Sequence, residues 1–129
     1  MPTVLCDSST TKAMAFIATE RPERALAFYR DVLGLRLLED TPFALVFDAF
    51  GTMLRVQKAH SVVLAPYTSF GFEVKDIRAT AQALAMEGVK GVRYSHFDQD
   101  ELGIWLAPGG ARVFWFKDPD GNLLSLTQF

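Results

Sequence analysis

The side chains best suited to chemistry lie on segments in which apolar and polar residues alternate. In Thr52–Lys58, Leu54 and Val56 form an apolar face, and Arg55 falls on the opposite face. Successive side chains of a strand point to opposite faces of a sheet, so this pattern places a guanidinium on the face away from the core. A guanidinium binds a carboxylate or a phosphate through two parallel hydrogen bonds. The segment therefore predicts a contact with an anionic group.

The same alternation selects polar and apolar residues on the neighbouring segments as members of one candidate ligand-binding face. These are Met14, Phe16, Met53, Gln57, Ser69, Glu73, Ser125 and Thr127. An ionised carboxylate such as Glu73 can serve as a general base. The alternative is that Glu73 and Arg55 pair with each other and only neutralise their charges. Both interpretations remain open at the level of sequence.

Histidine and cysteine are too sparse for a metal cluster or a disulfide framework. The chain contains two histidines, His60 and His96, and one cysteine, Cys6. Two scattered histidines do not make a ligand set, and one cysteine excludes an intramolecular disulfide. Tyr94 and His96 fall on one face of a predicted strand, either as a structural pair or as an acid–base pair. We expect Cys6 to be an idle thiol.

Composition indicates a globular protein of one domain. The chain has 129 residues, of which 50% are hydrophobic, and its 13 basic and 15 acidic residues give a net charge of −2. This balance provides no basic surface for nucleic acid. No apolar run approaches the roughly 20 residues that cross a bilayer, and the start of the chain lacks a secretory signal. We expect a cytoplasmic protein with no nucleic-acid or membrane partner.

An internal repeat organises the elements that must position these residues. Each half predicts a strand, a polar helix start, a helix of about three turns that ends at a glycine, and further strands. The helices end at Gly34 and Gly88, and Asp76 is predicted as the N-cap of the second. The predicted later strands are Arg36–Thr41, Ala44–Asp48, Thr52–Lys58, Val92–Phe97, Ile104–Ala107, Arg112–Lys117 and Asn122–Gln128.

These boundaries define the expected organisation of the chain. Residues 1–12 are predicted as a flexible tail, and residues 13–129 as one domain. Within the domain, modules 13–58 and 68–129 are joined by the linker 59–67. Because neither module can cover both faces of its own sheet, we expect the two modules to share a core.

Three motifs are distributed over the two halves of the chain. They are Ala27-Phe28-Tyr29-Arg30-Asp31-Val32-Leu33-Gly34-Leu35, Phe72-Glu73-Val74-Lys75-Asp76-Ile77 and Trp115-Phe116-Lys117-Asp118-Pro119-Asp120-Gly121-Asn122-Leu123-Leu124-Ser125-Leu126. Together they resemble the vicinal-oxygen-chelate superfamily of glyoxalases, dioxygenases and bleomycin-resistance proteins. The resemblance implies an α+β fold of two βαβββ modules with curled mixed sheets around a cleft. It also implies that Trp115 faces this cleft, where it either stacks on a ligand or belongs to the core.

Metal enzymes of this superfamily hold a divalent cation at four positions, which correspond here to Met14, Arg55, Ser69 and Ser125. A thioether is a soft ligand, and neutral hydroxyls bind such cations weakly. A guanidinium has no lone pair to donate and repels a cation. We therefore expect neither a metal site nor a cofactor.

The leading hypothesis is a metal-independent small-molecule binding protein of the bleomycin-resistance type, with an organic ligand, either anionic or neutral, in the cleft. One alternative is a metal-free isomerase, hydrolase or lyase that uses Glu73 as its base. A divalent-metal lyase or dioxygenase, and a structural module whose cleft is filled by its own side chains, are weaker alternatives. Relatives of this kind are commonly homodimers, so the resemblance also implies a homodimer, either with or without exchange of modules between chains.

Overall fold

A computed structural model describes residues 4–5 and 7–129, so the expectation about Cys6 lies outside the described residues. In the first half, strand β1 (Met14–Thr19) is followed by helix α1 (Pro22–Leu26), which continues as a π-helix (Ala27–Val32). Strands β2 (Arg36–Asp40), β3 (Ala44–Ala49) and β4 (Thr52–Lys58) complete that half. The second half contains β5 (Phe70–Glu73), α2 (Ile77–Met86), β6 (Trp105–Leu106), β7 (Arg112–Lys117) and β8 (Leu123–Gln128). None of the helices in these ranges has the length and apolar character that a membrane crossing requires.

The two halves form two four-stranded mixed sheets with the same topology. Sheet one has the order β1-β4-β3-β2, and sheet two has the order β5-β8-β7-β6. In each sheet the first pair is parallel and the other pairs are antiparallel. Phe16 pairs with Arg55 in sheet one, and Gly71 pairs with Ser125 in sheet two. This equivalent register confirms the α+β fold of two βαβββ modules; the sheets are not closed into a barrel.

Side-chain burial follows the alternation of the strands. Leu54 and Val56 are fully buried, whereas Arg55 between them is half-buried. The buried faces of both sheets pack on the helices and form one hydrophobic cluster that includes residues of both modules. The opposite faces carry the candidate site residues, so this alternation decides which side chains can meet a ligand.

The helices end as predicted but differ in their interior. The Asp76 carboxylate accepts a hydrogen bond from the Ala79 N–H at 3.0 Å and caps α2. Gly34 and Gly88 have φ of 78° and 82°, a left-handed conformation that favours glycine. The first helix, predicted at about three turns, spans residues 22–32, and its second part is a π-helix. Phe28 and Tyr29, in this π-helical part, are both buried.

The predicted strand Val92–Phe97 is the main error in the sequence-based assignment. Those residues form no strand, and the side chain of Gln99 takes the place of a neighbouring strand. Its amide oxygen accepts from the Tyr94 N–H and its amide nitrogen donates to the Val92 carbonyl, both at 2.8 Å. A side chain that satisfies the backbone in this way removes the need for a ladder of strand hydrogen bonds.

A buried polar network joins the β7–β8 turn to the first module. The Asp118 carboxylate is 5% exposed and accepts hydrogen bonds from the Tyr29 hydroxyl at 2.6 Å and the Asn122 amide at 2.9 Å. The Asn122 amide also donates to the Ala18 carbonyl at 2.9 Å. Burial raises the pKa of Tyr29, and the negative charge of Asp118 raises it further. The phenol therefore stays protonated and remains a donor to the carboxylate.

The Tyr29 hydroxyl provides a test of this junction. We expect Tyr29→Phe to lower the free energy of unfolding by about 1.5–3 kcal/mol, the usual contribution of a hydrogen bond to a charged group. Urea denaturation followed by circular dichroism measures the change. Tyr67→Phe is the matched control, because Tyr67 is exposed and makes no side-chain hydrogen bond among the described residues. A cost for Tyr29→Phe no larger than that of the control would contradict the role of the network.

Candidate functional site

Arg55 lies on the outward face of sheet one between apolar side chains. Its neighbours across the sheet are Phe16 of β1 and Val46 of β3. Val46 is buried, and Phe16 is 53% exposed. The half-buried guanidinium thus projects from an apolar surface that is partly open to solvent. Such an environment strengthens its interaction with an anion relative to bulk water.

The charges of Arg55 and Glu73 are not neutralised by each other. No ion pair or side-chain hydrogen bond of Arg55 occurs among residues 4–5 and 7–129, although five ion pairs form elsewhere in the same range. Within the described residues of one chain, Arg55 and Glu73 therefore form no mutual ion pair. Glu73 is exposed at the end of β5, and no described group donates a hydrogen bond to it. No group in the described part of the chain orients it as a general base.

The remaining candidate residues of sheet one surround Arg55. Met14 pairs with Met53 and Ala18 pairs with Gln57 across the parallel β1–β4 ladder. Met14 is 46% exposed, Met53 is half-buried and Gln57 is exposed. Along the strands, the apolar side chains of Met14 and Met53 lie on one side of Arg55, and the amide of Gln57 lies on the other. This face can contact both the apolar part and the charged group of an organic ligand.

The candidate residues of sheet two lie on β5, on β8 and just before β5. Ser125 is buried and pairs with Gly71, whereas Thr127 is half-buried and pairs with Glu73. A Cβ atom at position 71 would lie 2.8 Å from the Ser125 hydroxyl oxygen. Glycine at that position therefore leaves the space that the hydroxyl occupies. Ser69 is exposed, and its N–H donates to the Leu123 carbonyl at 2.8 Å.

Trp115 belongs to an aromatic cluster on the same face of sheet two. Its ring stacks on Phe97 with centroids 5.4 Å apart and an interplanar angle of 6°, and Phe97 stacks on Trp105 at 4.2 Å. Tyr94 meets the edge of Trp115 at 5.1 Å, and the His96 ring lies 5.8 Å from that of Tyr94. Tyr94 and His96 thus pack as aromatic neighbours. We call Tyr94, His96, Phe97, Trp105 and Trp115 the aromatic cluster.

Sequence analysis missed Phe97 and Trp105 as neighbours of Trp115. The signal was available for Trp105, because its strand partner Val113 lies two residues from Trp115 on the same face. Phe97 carried no such signal, since it lies in the segment that was wrongly predicted as a strand. The candidate residues therefore form two groups, one around Arg55 on sheet one and one around Ser125 and Trp115 on sheet two.

The donor set at the four metal positions of the resemblance does not fit a divalent cation. Met14 and Arg55 lie on sheet one, and Ser125 and Ser69 lie on or beside sheet two. Two neutral hydroxyls, a thioether and a permanently positive guanidinium provide no carboxylate or imidazole ligand. Within the described part of the chain, no group of three or more His, Cys, Asp or Glu residues could hold a metal ion.

The chain forms two mixed sheets of equivalent register, built from βαβββ modules with helices on one face. Comparison with known families identifies the class of protein that has this fold. The model of the Glyoxalase/Bleomycin resistance protein/Dioxygenase superfamily matches residues 11–126, and the chain belongs to this superfamily. No curated protein matches the sequence.

Solved structures with the same fold include proteins with different activities. A superfamily member from Sphaerobacter thermophilus is 21% identical, with a TM-score of 0.71 over 93% of this chain and 98% of that chain. Lactoylglutathione lyase from Agrobacterium tumefaciens is 17% identical, with a TM-score of 0.68 over 92% and 93%. The fosfomycin resistance protein FosX from Listeria monocytogenes is 13% identical, with a TM-score of 0.72 over 93% of both chains. Similarity at these identities shows the fold alone.

The donor set leads to a test with metal ions. We expect protein without an affinity tag, dialysed separately against manganese, nickel and zinc, to retain no stoichiometric ion, because the guanidinium of Arg55 repels a cation. Elemental analysis measures the bound metal. One ion per chain that is lost on substitution of Met14 or Ser125 by alanine would contradict the expectation.

Proposed function

We propose that the protein is a metal-independent small-molecule binding protein that holds an organic anion against Arg55. The observation that supports this function is that Arg55 is half-buried, has no carboxylate partner among the described residues and lies between Phe16 and Val46. A buried or half-buried charge is normally paired, and a ligand carboxylate or phosphate would supply the missing partner.

The apolar part of the ligand is expected to be aromatic or otherwise flat. Phe16, Met14 and Met53 provide apolar contacts beside Arg55, and the aromatic cluster provides stacking surfaces on the other sheet. Aromatic rings bury large areas and orient flat ligands. Gln57, Ser125 and Thr127 are the candidate hydrogen-bonding groups at the edges of the two faces.

A second copy of the chain would bring the two groups of residues into one cleft. The chain exposes 8401 Å² of surface. Scaling from molecular mass gives about 6,800 Å² for a folded monomer of this size. Exposed residues at the start of the chain account for part of the difference, and the open faces that carry Phe16 and Met14 contribute to it. We propose a homodimer in which these faces are covered at the interface.

The proposed ligand class can be tested with three probes of one carbon skeleton: naphthoate, naphthylmethanol and naphthylmethylamine. We expect naphthoate to bind at least tenfold more tightly than the other two. Arg55→Gln should weaken naphthoate binding about 10- to 100-fold, because a hydrogen bond to a charged group contributes about 1.5–3 kcal/mol. Isothermal titration calorimetry measures both effects.

Arg24→Gln is the matched control for charge, since Arg24 is exposed on α1 and has no described partner. It should leave naphthoate binding unchanged. Equal binding of the three probes, or equal effects of the Arg55 and Arg24 substitutions, would contradict the proposed function.

The proposed dimer predicts a molar mass of twice 14.4 kDa by size-exclusion chromatography with light scattering. Phe16→Lys should shift the protein toward the monomer, because it places a charge on the face that the second copy covers. Met86→Lys is the control, since Met86 is exposed at the end of α2 on the helix side. A monomeric wild-type protein at micromolar concentrations would rule the dimer out.

A further inference from the structure

A cavity lies on the helix side of sheet two, behind the face that carries Ser125. It has a volume of about 640 Å³ and is bounded by β5, by α2 and by the β3–β4 turn of the first module. Phe72 and Leu126 line it with their core-facing side chains, and Leu84 lines it from α2. The cavity thus lies mainly behind sheet two and is bordered by β5, the edge strand of that sheet. Its volume lies in the range of sites that enclose small organic ligands.

The cavity exists because the two modules diverge at equivalent positions. Tyr29 and Leu84 each lie seven residues after the first residue of their helix. Asp118 pairs with Asn122 across the β7–β8 turn, and Ala49 pairs with Thr52 across the β3–β4 turn. In one junction, tyrosine, aspartate and asparagine fill the space and bond to one another.

In the other junction, the equivalent residues Leu84, Ala49 and Thr52 are smaller, and all three line the cavity. The two junctions also differ at the end of the first strand of each module, where one has a polar contact and the other has apolar residues. Thr19 donates to Asp120 at 2.5 Å in the filled junction. The equivalent strand end, Val74, lies with Phe50 at the wall of the open junction.

The walls of the cavity combine aromatic rings with negative charge. Phe50 and Phe72 meet edge to face with centroids 6.2 Å apart, and Phe70 and Phe72 meet at 5.0 Å. Glu73 and Glu87 are charged lining residues, and no basic side chain of residues 4–5 and 7–129 lines the cavity. Neither carboxylate takes part in an ion pair within the described ranges. Glu87 follows the last turn of α2, where the helix dipole adds negative potential.

Phe50 provides an independent indication of a ligand. It occupies a two-residue turn with Gly51, and both have positive φ, of 53° and 100°. This turn favours asparagine followed by glycine, and a bulky residue there is strained by about 1 kcal/mol or more. Phe50 is nevertheless 77% exposed, so burial in the monomer does not offset the strain. This makes Phe50 a candidate ligand contact at the edge of the cavity.

We propose that this cavity binds a small organic cation, an amine or quaternary ammonium group on an apolar or aromatic body. The apolar body would lie against Phe50, Phe72 and Leu84, and the cationic group would meet the carboxylates of Glu73 and Glu87. A cation over the face of a phenylalanine ring is attracted further by the ring quadrupole. The site is chemically opposite to the anion site around Arg55 and does not depend on it.

The charge of the ligand is tested with diphenylpropylamine, diphenylpropanoate and diphenylpropanol, which share one apolar body. We expect calorimetry with the intact protein to show the amine binding at least tenfold more tightly than the carboxylate, with the alcohol between them. Glu73→Gln and Glu87→Gln should each weaken amine binding several-fold. Glu39→Gln, on β2, removes the same charge away from the cavity and should have no effect.

The position of the ligand is tested with two alanines of α2. Both Ala83 and Ala85 are exposed, but only Ala83 lines the cavity. Residues two apart on an α-helix point about 200° away from each other, so Ala85 faces away from the space. Ala83→Phe should reduce amine binding at least tenfold by filling the cavity, whereas Ala85→Phe should leave it unchanged. Arg55→Gln should also leave amine binding unchanged, which separates this site from the anion site.

The variant Phe50→Asn distinguishes a ligand-contacting role of Phe50 from a purely structural one. We expect it to raise the melting temperature, because asparagine suits the positive φ, and at the same time to weaken amine binding several-fold. Equal affinity for the three probes, no detectable binding of the amine, or equal effects of Ala83→Phe and Ala85→Phe would each overturn the proposal.

Discussion

The arrangement of the two modules depends on satisfying the buried carboxylate of Asp118. A carboxylate removed from water is costly unless it is fully hydrogen-bonded. Its donors come from both halves of the chain: the Tyr29 hydroxyl in the π-helical continuation of α1, the Asn122 amide, and N–H groups of its own turn. Because Asn122 also donates to Ala18 at the end of β1, the network fixes where the β7–β8 turn meets the first module. Apolar contacts around the network add stability, but they constrain the relative position of the modules less because the hydrophobic effect is non-directional.

The repeat shows how one fold can use the same junction in two ways. Where Tyr29 and Asp118 meet, the junction is filled, polar and suited to holding the modules together. Where Leu84 and Ala49 lie at the equivalent positions, the backbone arrangement persists but the smaller side chains leave a cavity. Smaller side chains at a junction normally cost stability, because the walls lose contacts. A cavity of this kind is more easily maintained when the partner junction already fixes the geometry.

Sequence patterns predicted the features that follow from local rules and missed those that follow from side-chain packing. Alternation around Arg55 and the glycine at 121 were sufficient to derive the sheet faces and the equivalence of β4 and β8. The π-helix after Leu26 and the irregular segment after Val92 could not be predicted, because each depends on a tertiary contact: the burial of Tyr29 beside Asp118, and the hydrogen bonds of Gln99. The lining of the helix-side cavity depends in the same way on packing between the modules.

The charge pattern is compatible with the two proposed binding sites of opposite preference in a chain with a net charge of only −2. No large field of one sign draws ligands to the whole surface, so selectivity must come from local charges in partly desolvated surroundings. Arg55, which is half-buried, provides such a charge on the outward face of sheet one, and the exposed Glu87 provides a charge at the rim of the cavity behind sheet two. Glu73 lies at the edge of sheet two, where it borders the cavity while alternating toward the outward face. Its carboxylate therefore adds negative charge to the cavity from the edge of the sheet, whereas Glu87 adds charge from the end of α2.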